Sequence, residues 1–337
     1  RQALAVTPRV VVDLETSGRK PFFGDYICVI GLGSADGAWD ACIPIQTPDD
    51  EGLGVKVAGE IAQALGEVPE LIGHNLKFDL HFLARCGYQP SSRQKLRDTI
   101  VLGRLAEPEH YISLGLKALV ERHLGKEEVA YDEKFSEQKK ILKVRASDEG
   151  YAAVPAAILA PYCLGDICVT GKLEGKLLPK VVQDMGPLWE TECKLTRVLF
   201  RMEERGLKID QGYCQQAIKV CERRKKVLEE AIYPALGQIN IGSPRQVGKA
   251  FESLGIQSPH KTPGGKASWS EVALLTLDHP AALQVREWRT WEHLKNTYFG
   301  PLGEHPEVHG TFRNWGTITG RLSAAAPNLQ NIPRFVQ

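Results

Sequence analysis

Short runs of β-branched and other apolar residues open the chain. Residues 9 to 14 (RVVVDL) and 26 to 32 (YICVIGL) are separated by the turn-rich SGRKPFFGD, and 38 to 45 (AWDACIPI) follows a DG turn, so three successive strands are predicted. The period then lengthens. Val55 to Leu65 reads as a helix, LIGHN at 71 to 75 as a fourth short strand, and Leu76 to Cys86 as an amphipathic helix closed by Gly87. Strand and helix alternate, which predicts an α/β layer architecture. The stretch from 112 to 147 is helical in pattern but rich in charge (GKEEVAYDEKFSEQKK), as a solvated surface would be. A further helix is expected to start near Pro155 and to carry ILAPYCLGDICVTGKLEGKLL, which sets Tyr162 and Asp166 four apart on one face.

Around Lys180 to Pro187 the pattern resets, and a domain boundary is expected at 183/184. Beyond it, Leu195, Val198, Leu199 and Met202 fall at helical spacing, with Gly206 placed to stop that helix. A longer helix from 211 to 236 carries the basic run Arg223 to Lys226. Ser243-Pro-Arg-Gln246 has a capping-box pattern with proline at the first helical position, and Ser268-x-x-Glu271 reads as a second cap. The second half is therefore expected to be mostly helical up to Tyr298 and extended or loop-like after it.

Composition narrows the class. At 337 residues, 43% hydrophobic and 25% charged, the chain has room for two ordinary cores, and no apolar run reaches the roughly 18 residues of a membrane span. No signal-peptide pattern opens it, so an intracellular, cytoplasmic protein with no membrane partner is expected. Eight cysteines are scattered without a C-x-x-C pair or zinc spacing, and read as buried reduced thiols. The net charge of +1 hides an asymmetry. Residues 1 to 180 hold 22 Lys+Arg against 25 Asp+Glu (−3), and residues 181 to 337 hold 20 against 16 (+4). A polyanion partner for the C-terminal part fits this bias, and so does a solvated basic face.

Five residues carry the chemistry: Asp13 and Glu15 in VVVDLETSG, Asp79 in GHNLKFDLHFL, and Tyr162 and Asp166 in YCLGD. Asp13 and Glu15 alternate along a strand, so their carboxylates emerge on one face and could hold one ion between them. Asp79 and Asp166, each on a helix, would complete the ligand set for two hard divalent cations such as Mg²⁺ or Mn²⁺. In such a site one ion generates hydroxide and the other stabilises a leaving 3′ oxygen, with Tyr162 and Glu15 bonding the attacking water. The reaction expected is phosphodiester hydrolysis.

These segments, in this order, resemble the three exonuclease motifs of the DEDD superfamily, in the subtype whose third motif is Tyr-x-x-x-Asp; the match spans residues 8 to 180. The resemblance implies an RNase H-like fold with a mixed sheet and a 3′-to-5′ exonuclease acting on single-stranded DNA ends. Leu14 between the first two acids and Gly165 before the last depart from the pattern without touching ligand chemistry. Asn75 falls at a motif position whose amide helps place backbone near substrate; a simple turn role suits it equally.

The second half resembles the thumb and the start of the palm of family A DNA polymerases, the bacterial DNA polymerase I class. WETECKLTRVLFRMEERGLKID, INIGSPRQVGKAFESLGI, WRTWEHLKNTYFGPL and TITGRLSAAAPNLQNIP carry that resemblance, over residues 186 to 333. It implies proofreading of a primer-template duplex. Arg321, in a glycine-flanked turn, could reach the minor groove, where acceptors are present at every base pair. Asn328, Gln330 and Asn331 add neutral donors, and Lys295 with the 223 to 226 run suits phosphate. A structural turn explains Arg321 as an alternative, and a solvated helix face explains Arg223 to Lys226 equally well.

In that family the palm carboxylates and the fingers helix lie downstream of the point reached at Gln337. The expectation is therefore an exonuclease module with no polymerase activity of its own, from a bacterium or phage. Two alternatives stay open. One is a DNA-binding subunit of a split polymerase, completed by a partner chain carrying palm and fingers; the other is a stand-alone exonuclease acting on RNA.

Overall fold

The computed structural model describes residues 2–49, 54–108, 113–143, 150–317 and 319–332. Chain contacts divide it into two compact units, Arg1–Arg205 with His309–Gln330, and Gly206–Val308 with Asn331–Gln337.

The first unit opens with α1 (Gln2–Val6), β1 (Arg9–Thr16), β2 (Ile27–Ser34), β3 (Asp40–Pro44), α2 (Gly54–Glu67), β4 (Glu70–Gly73) and α3 (Lys77–Arg85). The three successive strands, the fourth strand and both helices fall where the hydrophobic pattern puts them. Gly87, at φ 97°, takes the left-handed conformation just beyond α3 that a β-carbon would oppose. Besides α1, two further elements escaped the pattern: β5 (Lys95–Asp98) and α4 (Thr99–Ala106). KLRD offers too few apolar positions to read as a strand, yet it pairs in parallel with β4. Asp98 then caps α4 by accepting from the Ile100 N–H, and also accepts from the N–H groups of Asn75 and Leu76. The sheet order is β3-β2-β1-β4-β5, mixed as expected, with β1 antiparallel to β2 and parallel to β4.

Helices α5 (Leu116–His123) and α6 (Ala130–Ile141) correct the reading of 112 to 147 as solvated surface. Leu119, Val120, Val129 and Phe135 are buried, and most of the charged residues, though not Lys117, occupy the outward faces. Residue 112 and residues 144 to 147 of that stretch lie outside the described residues.

Helix α7 (Ala156–Arg205) begins directly after Pro155 and runs on as two helices joined at Met185, whose φ of −141° and ψ of 28° are not helical. Pro187 follows two residues later; having no N–H, it removes one bond of the helical ladder. An 18-residue window of α7 has mean hydropathy 1.3, long and apolar enough to cross a membrane, although no such run was expected. Half of it is buried inside the fold, where it serves as a core helix. Gly206, at φ 64°, ends the helix as expected. The expected apolar face is buried only in part, at Leu199. Val198 and Met202 are exposed, and Thr196, Leu199, Phe200 and Glu203 are the buried set, one position round the helix. Polar Thr196 and Glu203 disguise that stripe.

In the second unit β6 (Leu207–Lys208) precedes α8 (Gln211–Leu236), α9 (Pro244–Ser253), α10 (Glu271–Leu275), α11 (Pro280–Leu294) and α12 (Gly300–Gly303), and β7 (Glu307–Val308) pairs with β6. Ser243 caps α9 as predicted, accepting from the Gln246 N–H, but the capping box is not closed on Ser243: Gln246 Oε1 accepts from the Asn240 N–H instead. The Ser268 cap is not formed; α10 begins after Ser270. Phe251 stacks on Trp269 at 5.4 Å in this unit's core, beside Val247, Leu274 and Val285. The helical run also passes Tyr298, through Gly303.

Within the first unit, β8 (Thr311–Arg313) pairs with β9 (Ser323–Ala325). Phe312 is fixed from both sides: its N–H donates to Glu203 at 2.6 Å and its carbonyl accepts from Lys77 Nζ.

Candidate active site

Asp13 and Glu15 share a face because both occupy odd positions of β1, while Val10, Val12 and Leu14 enter the core that includes residues of α2 and α3. Val11, on the acids' face, packs with Ile72 and with Ile167 of α7. Two glycines of β2 let α7 descend on that face. A β-carbon on Gly31 would lie 2.4 Å from Cys163 Sγ, and one on Gly33 would lie 2.6 Å from Ile167 Cγ2. Since Gly31 stands opposite Asp13 in the antiparallel register, this approach carries the Tyr162–Asp166 turn over the strand acids. Asp79 comes from the first turn of α3, and its Oδ1 accepts from the Leu14 N–H at 3.2 Å.

The structure thus brings all five sequence-predicted residues into one electrostatic cluster. Burial, then repulsion from Asp166, pushes Asp13 well above the usual carboxylate range. Burial and then Asp13 do the same to Glu15. Asp79 is raised by burial and by Asp13 despite its bond from Leu14. Asp166 is raised by burial while Lys117 and Tyr131 pull it down. The Tyr162 ring stacks on Phe135 with centroids 4.0 Å apart, and burial followed by Asp166 raises its hydroxyl far above the ordinary phenol value.

Lys117 and Tyr131 are the site residues that sequence reasoning missed. Both donate to Asp166 Oδ1, and Lys117 Nζ also donates to the Tyr131 hydroxyl at 2.7 Å. The available signal was the spacing of Tyr131 and Phe135, four apart in a charge-rich helix. An open groove of about 830 Å³ adjoins Glu15, lined also by Arg19, Lys20, Phe78 and Tyr151. Cations and aromatic rings beside an acid cluster suit a polyanion that carries bases.

Buried Glu15, Asp79 and Asp166 and half-buried Asp13, with Lys117 as the cation acting on Asp13, Glu15 and Asp166, leave excess negative charge in a largely desolvated space. That is an oxygen-donor set suited to hard divalent cations. The donor atoms of Asp13, Glu15 and Cys163 lie within 4.8 Å of one another.

The burial has a consequence for stability. A carboxyl held above its unfolded value favours the protonated folded form, so its contribution is full below about pH 4 and is lost as pH rises through the raised range. The metal-free chain is therefore expected to lose melting temperature from these groups between about pH 5 and about pH 7.5, and Mg²⁺ to restore more at the higher pH. Glu203 has the opposite sign: burial would raise it, but His81 and Lys77 hold it below the usual value. The Mg²⁺-dependent part of the melting curve isolates the acids, and equal stabilisation at both pH values would contradict the assignment.

The residues proposed for DNA contact are dispersed. Asn75 is exposed at φ 57° in the turn before α3, the turn role that its sequence allowed. Arg321 is exposed beside Gly320, with its carbonyl accepting from Thr317 Oγ1 at 2.6 Å. Asn328 and Gln330 are exposed in the same unit, Asn328 Oδ1 accepting from the Gln330 N–H. Lys295 belongs to the second unit and is ion-paired with Glu222 at 2.9 Å.

Comparison with known proteins gives a consistent set. A 3′-5′ exonuclease family profile matches residues 2–182, and a DNA polymerase family A profile matches residues 211–337. DNA polymerase I of Synechocystis is 31% identical over 96% of this chain and 33% of its own length. DNA polymerase I of Helicobacter pylori is 32% identical over 78% and 28%, and the thermostable enzyme of Thermus thermophilus 38% over 43% and 19%. The chain thus spans about a third or less of these curated relatives. The polymerase domain of Pol1 from M. smegmatis, solved with DNA primer-template and dNTP, shares the fold with a TM-score of 0.72 at 24% identity, over 98% of this chain and 53% of that one.

Proposed function

This chain belongs to the family A DNA polymerases and carries their 3′-5′ exonuclease domain, and from that premise we propose that Asp13, Glu15, Asp79, Tyr162 and Asp166 form a two-metal editing site hydrolysing DNA from its 3′ end. The observation that supports the reading most is the convergence of four carboxylates, three of them buried and Asp13 half-buried, from β1, α3 and α7 beside the Arg19–Lys20 groove. The site residues fall within residues 1–183, taken as the nuclease domain; residues 184–337 would supply the polymerase-type part.

Asp13, Glu15, Asp79 and Asp166 would hold two Mg²⁺ or Mn²⁺ ions. When bound, such ions supply a nucleophile at neutral pH and charge stabilisation for the leaving 3′ oxygen. The chain's own groups do the rest. Tyr162 and Glu15 orient the attacking water, and Lys117 and Tyr131 fix the Asp166 carboxylate. Arg19 and Lys20 hold phosphates of a single strand in the groove, and Phe78 offers a ring to a base. Asn75, Lys295, Arg321, Asn328 and Gln330 are proposed DNA contacts; at Lys295 a phosphate competes with Glu222.

Polarity distinguishes this activity from other nucleases. A single strand labelled at its 3′ end should release the label as mononucleotide in the first turnover, and the same strand labelled at its 5′ end should release it last. Internal cuts with both labels retained on fragments would refute the reading.

A further inference from the structure

Cys163 is a thiol inside an oxygen-donor site. It follows Tyr162 on α7, is fully buried, and points its Sγ at Asp13, donating to the main-chain O at 3.7 Å and to Oδ2 at 3.8 Å. Cys42, on the strand beside Gly31, is its sulfur neighbour. Glu15 completes the arrangement: it is 4% exposed, no group among the described residues donates to its carboxylate, and its donor atom lies within 4.8 Å of those of Asp13 and Cys163. A buried carboxylate without a donor is costly unless a cation meets it.

We propose that Asp13, Glu15 and Cys163 form a site for a thiophilic divalent cation of the Zn²⁺ class. The proposal rests on the reading that Asp13 and Glu15 hold divalent ions, and goes beyond it in the class of ion and in the third ligand. Zinc bonds of about 2.3 Å to sulfur and about 2.1 Å to oxygen, at a tetrahedral angle, separate the two donors by about 3.6 Å. The 3.8 Å between Cys163 Sγ and Asp13 Oδ2 needs only a small adjustment to meet that. Mg²⁺ gains little from a thiol, whereas Zn²⁺ and Co²⁺ gain a strong bond, so the thiol biases this pair of acids towards the softer ions. On binding, the S–H bond breaks, the metal–sulfur bond forms, and the proton leaves to solvent. Spacing along the chain could not reveal the site, because its donors come from β1 and α7.

Co²⁺ is the probe, since a cobalt–thiolate bond gives a charge-transfer band in the near ultraviolet. The metal-free chain titrated with Co²⁺ should develop that band, and Zn²⁺ should displace it. Cys163→Ala and Cys163→Ser should lack it, Cys42→Ala should keep it, and circular dichroism checks that each variant is folded. Zn²⁺ affinity should fall by at least about tenfold in Cys163→Ala, the loss that even an outer-shell partner produces. A wild-type spectrum without the band, or a band persisting in folded Cys163→Ala, overturns the proposal whether or not Mg²⁺ supports nucleotide release. Loss of Mg²⁺-dependent release with the band intact would instead remove the nuclease reading.

Discussion

Asp13→Ala should reduce metal-dependent release of nucleotides from a DNA 3′ end by about a thousandfold or more. A metal ligand at the reacting phosphate contributes several kcal/mol of charge stabilisation, and each 1.36 kcal/mol is about tenfold in rate. Asp13 is central because burial and Asp166 both work against its charge, and because it in turn raises Glu15 and Asp79. Removing it relieves that repulsion, so the metal-free variant should melt no lower than the parent at neutral pH. The expected signature is activity lost with stability kept. A variant that melts lower and loses activity in proportion would make Asp13 a structural residue.

Glu203→Ala should destabilise the fold by about 3–5 kcal/mol, the usual result of removing one partner of a buried ion pair. Glu203 is 2% exposed and accepts from Lys77 Nζ, from His81 Nε2 at 2.7 Å and from the Phe312 N–H at 2.6 Å. His81 also donates to Glu204 at 2.6 Å; burial opposes its charge, but the two glutamates outweigh burial and raise its pKa. Truncation leaves the Lys77 ammonium and an amide buried without their acceptor, and a total stability of about 5–15 kcal/mol makes such a loss severe. Urea denaturation reads the effect. Glu203→Gln, which keeps an acceptor, should lose less, and Lys77→Met combined with Glu203→Met should recover part of the loss. A cost below about 1 kcal/mol for Glu203→Ala would mean that water satisfies the cluster.

Much of the nuclease half was legible in the sequence because its signals are local. Alternation along β1 places Asp13 and Glu15 on one face, and helical spacing places Tyr162 and Asp166 on another, without knowledge of the rest of the fold. What escaped is set by long-range contact. Lys117 and Tyr131 looked solvated because their neighbours are charged; only packing of α5 and α6 against α7 turns them onto Asp166. Strand β5 is hidden because KLRD owes its place to pairing with β4, and the buried stripe of α7 is hidden because Glu203 is polar. Cys163 read as an ordinary buried thiol for the same reason, since Asp13 is 150 positions away in sequence.

That the converging acids work as a metal-dependent nuclease site is tested most directly by the rate of 3′-end shortening of a 5′-labelled single strand through a chelation cycle. Stepwise shortening is expected with Mg²⁺, arrest on EDTA, and recovery at the original rate when Mg²⁺ is restored in excess. Shortening that continues at full rate in EDTA, or a strand that stays intact in Mg²⁺ and in Mn²⁺, would contradict it.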